Sequence, residues 1–549
     1  MITSPASLKN ERPSLYADRV GEWYANQTSD DHKSEHGQYL TPPAVAEFMA
    51  GLASAPSKTI HILDPGAGSG ILSCALCESL ASCGNKPNDI ELVVYETEFG
   101  LLKHLSSVLE YLKSWLSSAG IELTFTLHAS DFILENAACL DPRQTTLFGD
   151  TGDFQRYDFI ISNPPYFKIS KNDPRSRACL SVIHGQPNIY ALFMAVSAHM
   201  LKPGGELIYI TPRSFAAGPY FRLFREKFFE IARPLQLHLF GSRTDAFDRS
   251  EVLQENVILH AVRDDGWNDN VTQTTVRVSF SAGVRDIAAH GARRAPISEI
   301  MDVKSHNRFL HIPTSDDEQE IIHLVNSWPG SLHKHGLEIS TGPVVPFRAT
   351  QFITNENGSG KVPLLWMQNV KSLCTTWPVL TRKQQYIISS DATASLLLPN
   401  KNYVLLRRFS AKEEERRLTA APYLADNVPF DVVGFENHLN YVYRQGGELS
   451  KEEAYGIAAL LNCRLLDTYF RSYNGNTQVS ATELRLMPLP SMEIVRLIGK
   501  EAAKGKLTTS EIDSWISEML VQSGEATIDK ATRCASNPSG AGITARTAK

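Results

Sequence analysis

Apolar positions along the first half of the chain follow two periods. Short runs of continuous or alternating apolar residues occur at TIHIL (59–63), IELVVYE (90–96), LTFTLHA (123–129), YDFIIS (157–162), GELIYIT (205–211), LQLHLF (235–240) and NVILHAV (256–262). Between them, near 70–83, 99–119, 188–201 and 219–232, apolar residues recur at helical spacing. The first pattern predicts strands and the second helices, and their alternation reads as βαβ units on a parallel sheet. The last two runs leave no room for a helix, so the sheet is expected to end in a hairpin-like pair. Upstream, a helix is expected around Tyr16–Asn26. GQYLTPPAVAEFMAGLA then opens another, with Thr41 as N-cap and Pro42 or Pro43 at the first helical position. Val45, Phe48, Met49 and Leu52 give that helix one apolar face.

After residue 262 the pattern changes. Residues 263–300 read as short strands and polar turns, a connecting region. Residues 301–495 mix STGPVVPFRA, KVPLLWMQNV and ENHLNYVYR with many Pro and Gly breaks and predict a separate α+β domain. Within it, LSKEEAYGIAALLNCRLLDTYFRS is strongly helical. The expected organisation is an N-terminal segment (1–36), an α/β domain (37–262), the connector, the α+β domain, and a C-terminal helix with a Ser/Ala/Thr/Gly-rich tail (496–549).

Composition narrows the class. At 549 residues, 42% hydrophobic and 21% charged, the chain is an ordinary globular protein with more than one core. A net charge of −6 gives no global attraction to nucleic acid, but a local basic cleft remains compatible with it. Eight cysteines without a framework spacing fit a reducing cytoplasm. The polar N-terminus is not a signal peptide, and no apolar run is long enough to span a membrane. Cys74, Cys77 and Cys83 read as thiols of the helix after 70, and no metal site is expected.

The candidate chemistry sits at strand ends. TIHILDPGAGSGIL is a strand, a glycine turn and a helix start, with Gly66, Gly68 and Gly70 alternating. Glycine there permits positive φ and close approach of a ligand, at the sheet end where open α/β folds bind cofactors. The spacing is not that of a P-loop. Glu96 closes the second strand, where a carboxylate accepts bonds from both ribose hydroxyls. Asp131 and Phe132 at the third strand end are placed for an adenine amine and ring, and Asp64 for an ammonium group. S-adenosylmethionine (SAM) fits this set better than a dinucleotide. The fourth strand ends in Asn163-Pro164-Pro165-Tyr166, a turn that prolines hold rigid beside the cofactor mouth. The Asn163 side-chain oxygen and the Pro164 carbonyl can accept both N–H bonds of an exocyclic amine. That favours a tetrahedral nitrogen whose lone pair faces a methyl donor, and the gain grows toward the transition state. Tyr166 offers a face for the base.

In this order, GQYLTPP, LDPGAGSG, YETE, SDF, NPPYF and NIYALFMAVSAHMLKPGGELIYITPRSF, the chain resembles the TaqI-like (gamma-class) N6-adenine DNA methyltransferases of restriction–modification systems. The resemblance implies a Rossmann-like, mostly parallel seven-stranded sheet followed by a target-recognition domain. It implies SAM contacts from Thr41, Asp64, Gly66, Glu96, Asp131, Phe132 and Pro165, and a flipped adenine held by Asn163, Pro164 and Tyr166. It implies a Phe over the other face of the base, with Phe247 the choice and Phe240 the runner-up. Double-stranded DNA is the expected partner, lying between the two domains, and a separate cognate restriction endonuclease is expected alongside. Arg213 is open between phosphate contact and a structural ion pair. The run Arg407, Arg408, Lys412, Arg416, Arg417 reads either as a solvated face or as phosphate contacts. Asn474, Asn476, Thr477, Gln478 and Ser480, flanked by Arg471 and Arg485, are of types that read base edges, and the segment resembles the recognition domains of TaqI-like and type I specificity proteins. RNA and protein-glutamine methyltransferases share the NPPY tetrapeptide and are the rival reading.

Overall fold

Each of the seven apolar runs of the first half forms a strand, and all seven join one sheet. The computed structural model describes residues 4–29, 40–55, 57–140, 154–183, 185–241, 255–289, 291–411, 414–475, 477–505 and 509–522. The chain divides into two units, Met1–Thr314 and Ser315–Lys549.

In the first unit the strands are β1 (Thr59–Pro65), β2 (Asp89–Tyr95), β3 (Glu122–His128), β4 (Tyr157–Ser162), β5 (Leu201–Pro212), β6 (Ala232–Phe240), β7 (Asn256–Arg263), β8 (Thr275–Ser281) and β9 (Gly291–Pro296). Their order is β3-β2-β1-β4-β5-β7-β6-β8-β9. Strands β1 to β5 run parallel, and β7 inserts antiparallel between β5 and β6. The order reverses between β1 and β4, which opens a crevice at their carboxyl ends, the place where such sheets bind ligands. The expected connector 263–300 supplies β8, parallel to β6, and β9, antiparallel to β8, so the sheet has nine strands. Their signal is weak because β8 buries only alternate positions and β9 buries little beyond Ala295.

The helices are α1 (Pro13–Ala25), α2 (Pro43–Ala50), α3 (Ile71–Ala81), α4 (Phe99–Ser118), α5 (Phe132–Asn136), α6 (Ile189–Met200) and α7 (Arg222–Ile231). Those on the sheet match the expected spans within a few residues. Helix α1 begins on the buried carboxylate of Glu78, which accepts from the Ser14 main-chain N at 2.7 Å and from Arg12 Nη2 at 2.6 Å. A carboxylate there offsets the unpaired N–H groups of the first turn. Cys74 and Cys77 are buried in α3. Helix α2 starts at Pro43 behind Pro42, so Thr41 does not cap it.

The second unit is α+β, as expected. One sheet pairs Leu337–Thr341, Leu439–Arg444, Tyr403–Arg407 and Ala420–Tyr423. Another pairs Ile353–Thr354, Tyr386–Ile388, Lys361–Leu365, Val432–Phe435 and Leu398–Pro399. The helical run after 449 is two helices, Lys451–Asn462 and Arg464–Tyr473. The first opens with a capping box between Ser450 and Glu453. The second restarts after an extended Cys463, with Asp513 Oδ1 accepting from the Arg464 N at 2.6 Å. Among the described residues no helix is long and apolar enough to cross a membrane.

Candidate active site

The glycine turn after β1 has left-handed backbone at Gly66, Gly68 and Gly70, with φ of 77°, 58° and 85°. A Cβ at Gly70 would lie 2.9 Å from Leu105 Cδ1 in α4, whereas one at Gly68 would meet nothing within 4 Å. Gly70 is therefore required by packing as well as by its φ, and Gly68 by its positive φ alone. The Gly66 and Ala67 main-chain N atoms both donate to Tyr95 O at 2.9 Å, which ties the turn to the end of β2.

Glu96 holds the same turn from its side chain. Its Oε2 accepts from Gly68 N at 2.8 Å and its Oε1 from Glu98 N at 2.7 Å. The residue is buried, and that burial raises the carboxyl above its ordinary value. The expected ribose acid is thus also the clamp of the glycine turn. Asp64 is fully buried at the end of β1. Its Oδ2 accepts from Ser73 Oγ at 2.6 Å, and its Oδ1 has no hydrogen-bond partner among the described residues. Desolvation, opposed by the Ser73 bonds and aided by Glu96, pushes its carboxyl up to about 7. A buried carboxylate oxygen left open beside an unfilled glycine turn suits a small cationic group. These features fit the amino-acid and ribose ends of SAM.

The adenine end departs from expectation. Asp131 caps α5, accepting from Leu134 N at 3.0 Å, and its Oδ2 lies 3.7 Å from Arg175 Nη1. Phe132 is only 2% exposed, its ring 5.3 Å from both Tyr95 and Phe193. It is a wall of the core rather than an open stacking face. Phe99, 86% exposed at the start of α4, is an aromatic beside Glu96 and Glu98 that periodicity alone did not single out.

The Asn163-Pro164-Pro165-Tyr166 turn leaves β4 next to the glycine turn. Ser162 Oγ donates to Pro65 O at 2.6 Å, so the two turns are bonded to each other. Asn163 Nδ2 donates to Thr41 Oγ1 at 3.0 Å. Thr41, expected as a helix cap and, by the resemblance, as a SAM contact, reaches the NPPY turn across 122 positions of sequence. Tyr166 Oη lies 2.5 Å from Asn163 Oδ1 and 2.9 Å from Ile210 O on β5. Its ring is 5% exposed and meets Tyr190 edge-on. The expected stacking ring is thus covered here, and its hydroxyl fixes Asn163. Phe247 lies outside the described residues. Phe240, the runner-up, is buried edge-on to His238 in β6. Arg213 is buried in an ion pair with Glu255 at 3.3 Å, which settles it as structural.

Several expected DNA contacts in the second unit are bonded within the protein, and two of them, Arg417 and Asn474, are buried. Arg407 Nε donates to Val370 O at 2.8 Å, Arg416 pairs with Asp513, and buried Arg417 donates to Ser410 Oγ at 2.9 Å. Arg471 holds Asp467 at 2.6 Å, and Arg485 donates to Ile339 O at 2.9 Å. Asn474 is buried between Arg417 and Glu483, donating to Glu483 Oε2 at 2.7 Å. Arg408 keeps partial exposure, donating to Asn437 O at 3.0 Å and, with the Gln478 amide oxygen turned toward it, to Gln478 at 2.7 and 3.1 Å. Asn476 and Lys412 lie outside the described residues. Polar side chains of base-reading type here mostly satisfy one another, as buried polar groups must.

The profile of the Eco57I restriction-modification methylase family matches residues 109–247. The chain is 34% identical over 499 residues to the Type II methyltransferase M.PstI of Providencia stuartii, covering 90% of this chain and 95% of that protein. It is 35% identical over 496 residues to the Type II methyltransferase M.BsuBI of Bacillus subtilis, covering 89% and 95%. M.AccI of Acinetobacter calcoaceticus is 24% identical over 255 residues, 45% of this chain and 40% of that protein. Near-full-length identity at this level, with the NPPY turn bonded onto a glycine turn, places the chain by descent as well as by site: it belongs to the Type II methyltransferase family of restriction–modification systems.

Proposed function

We propose that this DNA methyltransferase moves a methyl group from SAM to N6 of an adenine flipped out of duplex DNA, and that it protects host DNA from a separate cognate endonuclease. The observation that carries the reading is the bond between Ser162 Oγ and Pro65 O, which sets the amine-binding turn beside the cofactor turn. When bound, SAM supplies an electrophilic methyl. Asp64 would hold its ammonium group, Glu96 its ribose hydroxyls, and the open side of Gly68 gives room for close approach. Asn163 Oδ1 and the Pro164 carbonyl would accept the two amine protons of the base. Thr41 and Tyr166 steady the Asn163 amide from opposite ends. Extruding the base costs a few kcal/mol, least where the adenine is already mispaired. Mismatched targets should therefore bind more tightly than matched ones.

Long-read sequencing of DNA from an expressing host tests the whole reading. Methyl-adenine at one recurrent sequence context is the expected result. Unmodified DNA, with transfer to RNA or to a protein glutamine in vitro, would overturn it in favour of the rival that shares the tetrapeptide.

The state of Asp64 gives a pH dependence. Its folded value, about 7, lies above the ordinary 3.8, so the folded chain keeps this proton longer than the unfolded one. The contribution to stability therefore falls as pH rises from about 4 to about 7 and is flat above. A cationic ligand favours the carboxylate, so SAM affinity should rise over the upper part of that range, by at most about tenfold per pH unit. Calorimetry on the wild type and on Asp64→Asn checks this, and a profile of the same slope in both would rule the assignment out.

A further inference from the structure

The acidic balance of the chain is reversed over one stretch of the second unit. Residues 357–390 contain Lys361, Lys371, Arg382 and Lys383 and no Asp or Glu, in a chain whose net charge is −6; Lys361 is paired with Glu356 at 3.0 Å, which leaves the other three to set the local charge. Within this stretch a loop, 376–385, runs between the short strand Cys374–Thr375 and the strand Tyr386–Ile388. Leu380 at its tip is fully exposed, and Thr381, Arg382, Lys383 and Gln384 are exposed beside it.

A lone exposed leucine is ordinary. This one differs because the loop beneath it is braced. Trp377 Nε1 donates to Gln385 O at 2.9 Å, and Trp366 Nε1 donates to Gln384 O at 2.6 Å. Val379 N donates to the Gln385 side-chain oxygen at 3.1 Å, while the same amide donates to Lys383 O at 3.0 Å. The Trp377 ring is packed edge-on between Tyr386 and Phe430. Lys383 Nζ lies 4.9 Å from the Trp366 ring centroid, so its cation is held at the loop base. Two indoles and a buried glutamine thus hold the backbone beneath the apolar tip and the Lys383 cation in one arrangement. A fixed loop loses little conformational freedom on binding. The local positive charge disfavours a second copy of the same loop and favours a polyanion.

We propose that this loop enters a groove of the target duplex. Leu380 packs against base edges as an apolar probe of sequence, and Arg382 and Lys383 neutralise the flanking phosphates. Proteins that bind DNA grooves combine apolar side chains at base steps with Arg and Lys in the same way. The assignment rests on the reading of the chain as a DNA methyltransferase, and it adds outward-facing contacts to a unit in which Arg417 and Asn474 are buried.

The test uses the full chain and two duplexes, one carrying the methylated context found by sequencing and one with that context scrambled. Leu380→Ala should weaken binding to the first by roughly tenfold while leaving the second unchanged. Arg382→Ala should weaken both, and should lower the slope of log K against log salt by about 0.9. Both positions are exposed, so unchanged thermal unfolding and SAM affinity are expected and serve as the check on folding. Wild-type affinity and slope in both variants would overturn the loop assignment. So would an altered sedimentation coefficient in Leu380→Asp with DNA binding intact, which would make the tip a self-association contact. If the wild type itself fails to distinguish the two duplexes, the underlying DNA reading falls with it.

Discussion

Asn163→Ala is expected to slow methyl transfer by about 10²–10³-fold while changing SAM affinity little. The substitution removes one of two preorganised acceptors on the target amine, and losing a comparable contact elsewhere costs about 3 kcal/mol of transition-state stabilisation. The geometry sharpens the expectation. Asn163 is held at one end by Thr41 Oγ1 at 3.0 Å and at the other by Tyr166 Oη at 2.5 Å. Its amide is thus oriented before any base arrives. Tyr166→Phe keeps the acceptor and removes one of its supports, so it should lower the single-turnover rate by less than the alanine does. Near-normal single-turnover methylation by a folded, SAM-binding Asn163→Ala would show that the NPPY turn is not the catalytic centre.

Glu96→Ala is expected to weaken SAM by about 1.5–3 kcal/mol, or roughly 10- to 100-fold in Kd, the scale of hydrogen bonds to a charged group. Two losses add here. The ribose hydroxyls lose their acceptor, and so do the main-chain N–H groups of Gly68 and Glu98. Glu96→Gln separates the two, because an amide oxygen can still accept from one of those N–H groups while the charge is gone. Its Kd should fall between wild type and alanine. Calorimetry reading an unchanged Kd in folded Glu96→Ala would remove this residue from the cofactor site.

What the sequence disclosed follows from where its signals come from. Strands β1, β4 and β7 are buried on both faces, and their continuous apolar runs are readable for that reason. The glycine turn and the NPPY turn were readable because backbone constraint selects residue types that few other settings require. Local pattern read Thr41 as a helix cap and only the family resemblance gave it a wider use, as a SAM contact; its bond to Asn163, 122 positions away, was in neither reading. Tertiary use of a polar group leaves no trace in local pattern. The same limit applies to Asn474 and Arg417. Their types suit base recognition and equally suit a buried polar network, and only burial distinguishes the two. Leu380 carried no signal, since one leucine in a polar loop is unremarked until the indoles that brace the loop are seen. Cys463 interrupts a run of good helix formers because Asp513, far along the chain, caps the restart.

The two strands supplied by residues 263–300 decide how the sheet meets its neighbours in a crowded solution. Strand β6 gives one of its sides to β7 and the other to β8, from Gln236 to Phe240. A chain cut at residue 262 would leave that second side as an open ladder of N–H and C=O groups flanked by Leu237, Leu239 and Phe240, all buried in the intact unit. Bare ladders of that kind recruit strands from other molecules. Strand β9 ends the sheet differently. It presents Arg293 and Arg294 within the strand and finishes at Pro296, which has no N–H to offer. The last two strands act as a guard against edge-to-edge aggregation, so a fragment that keeps the whole sheet runs to about Thr314 rather than to the end of the seventh strand.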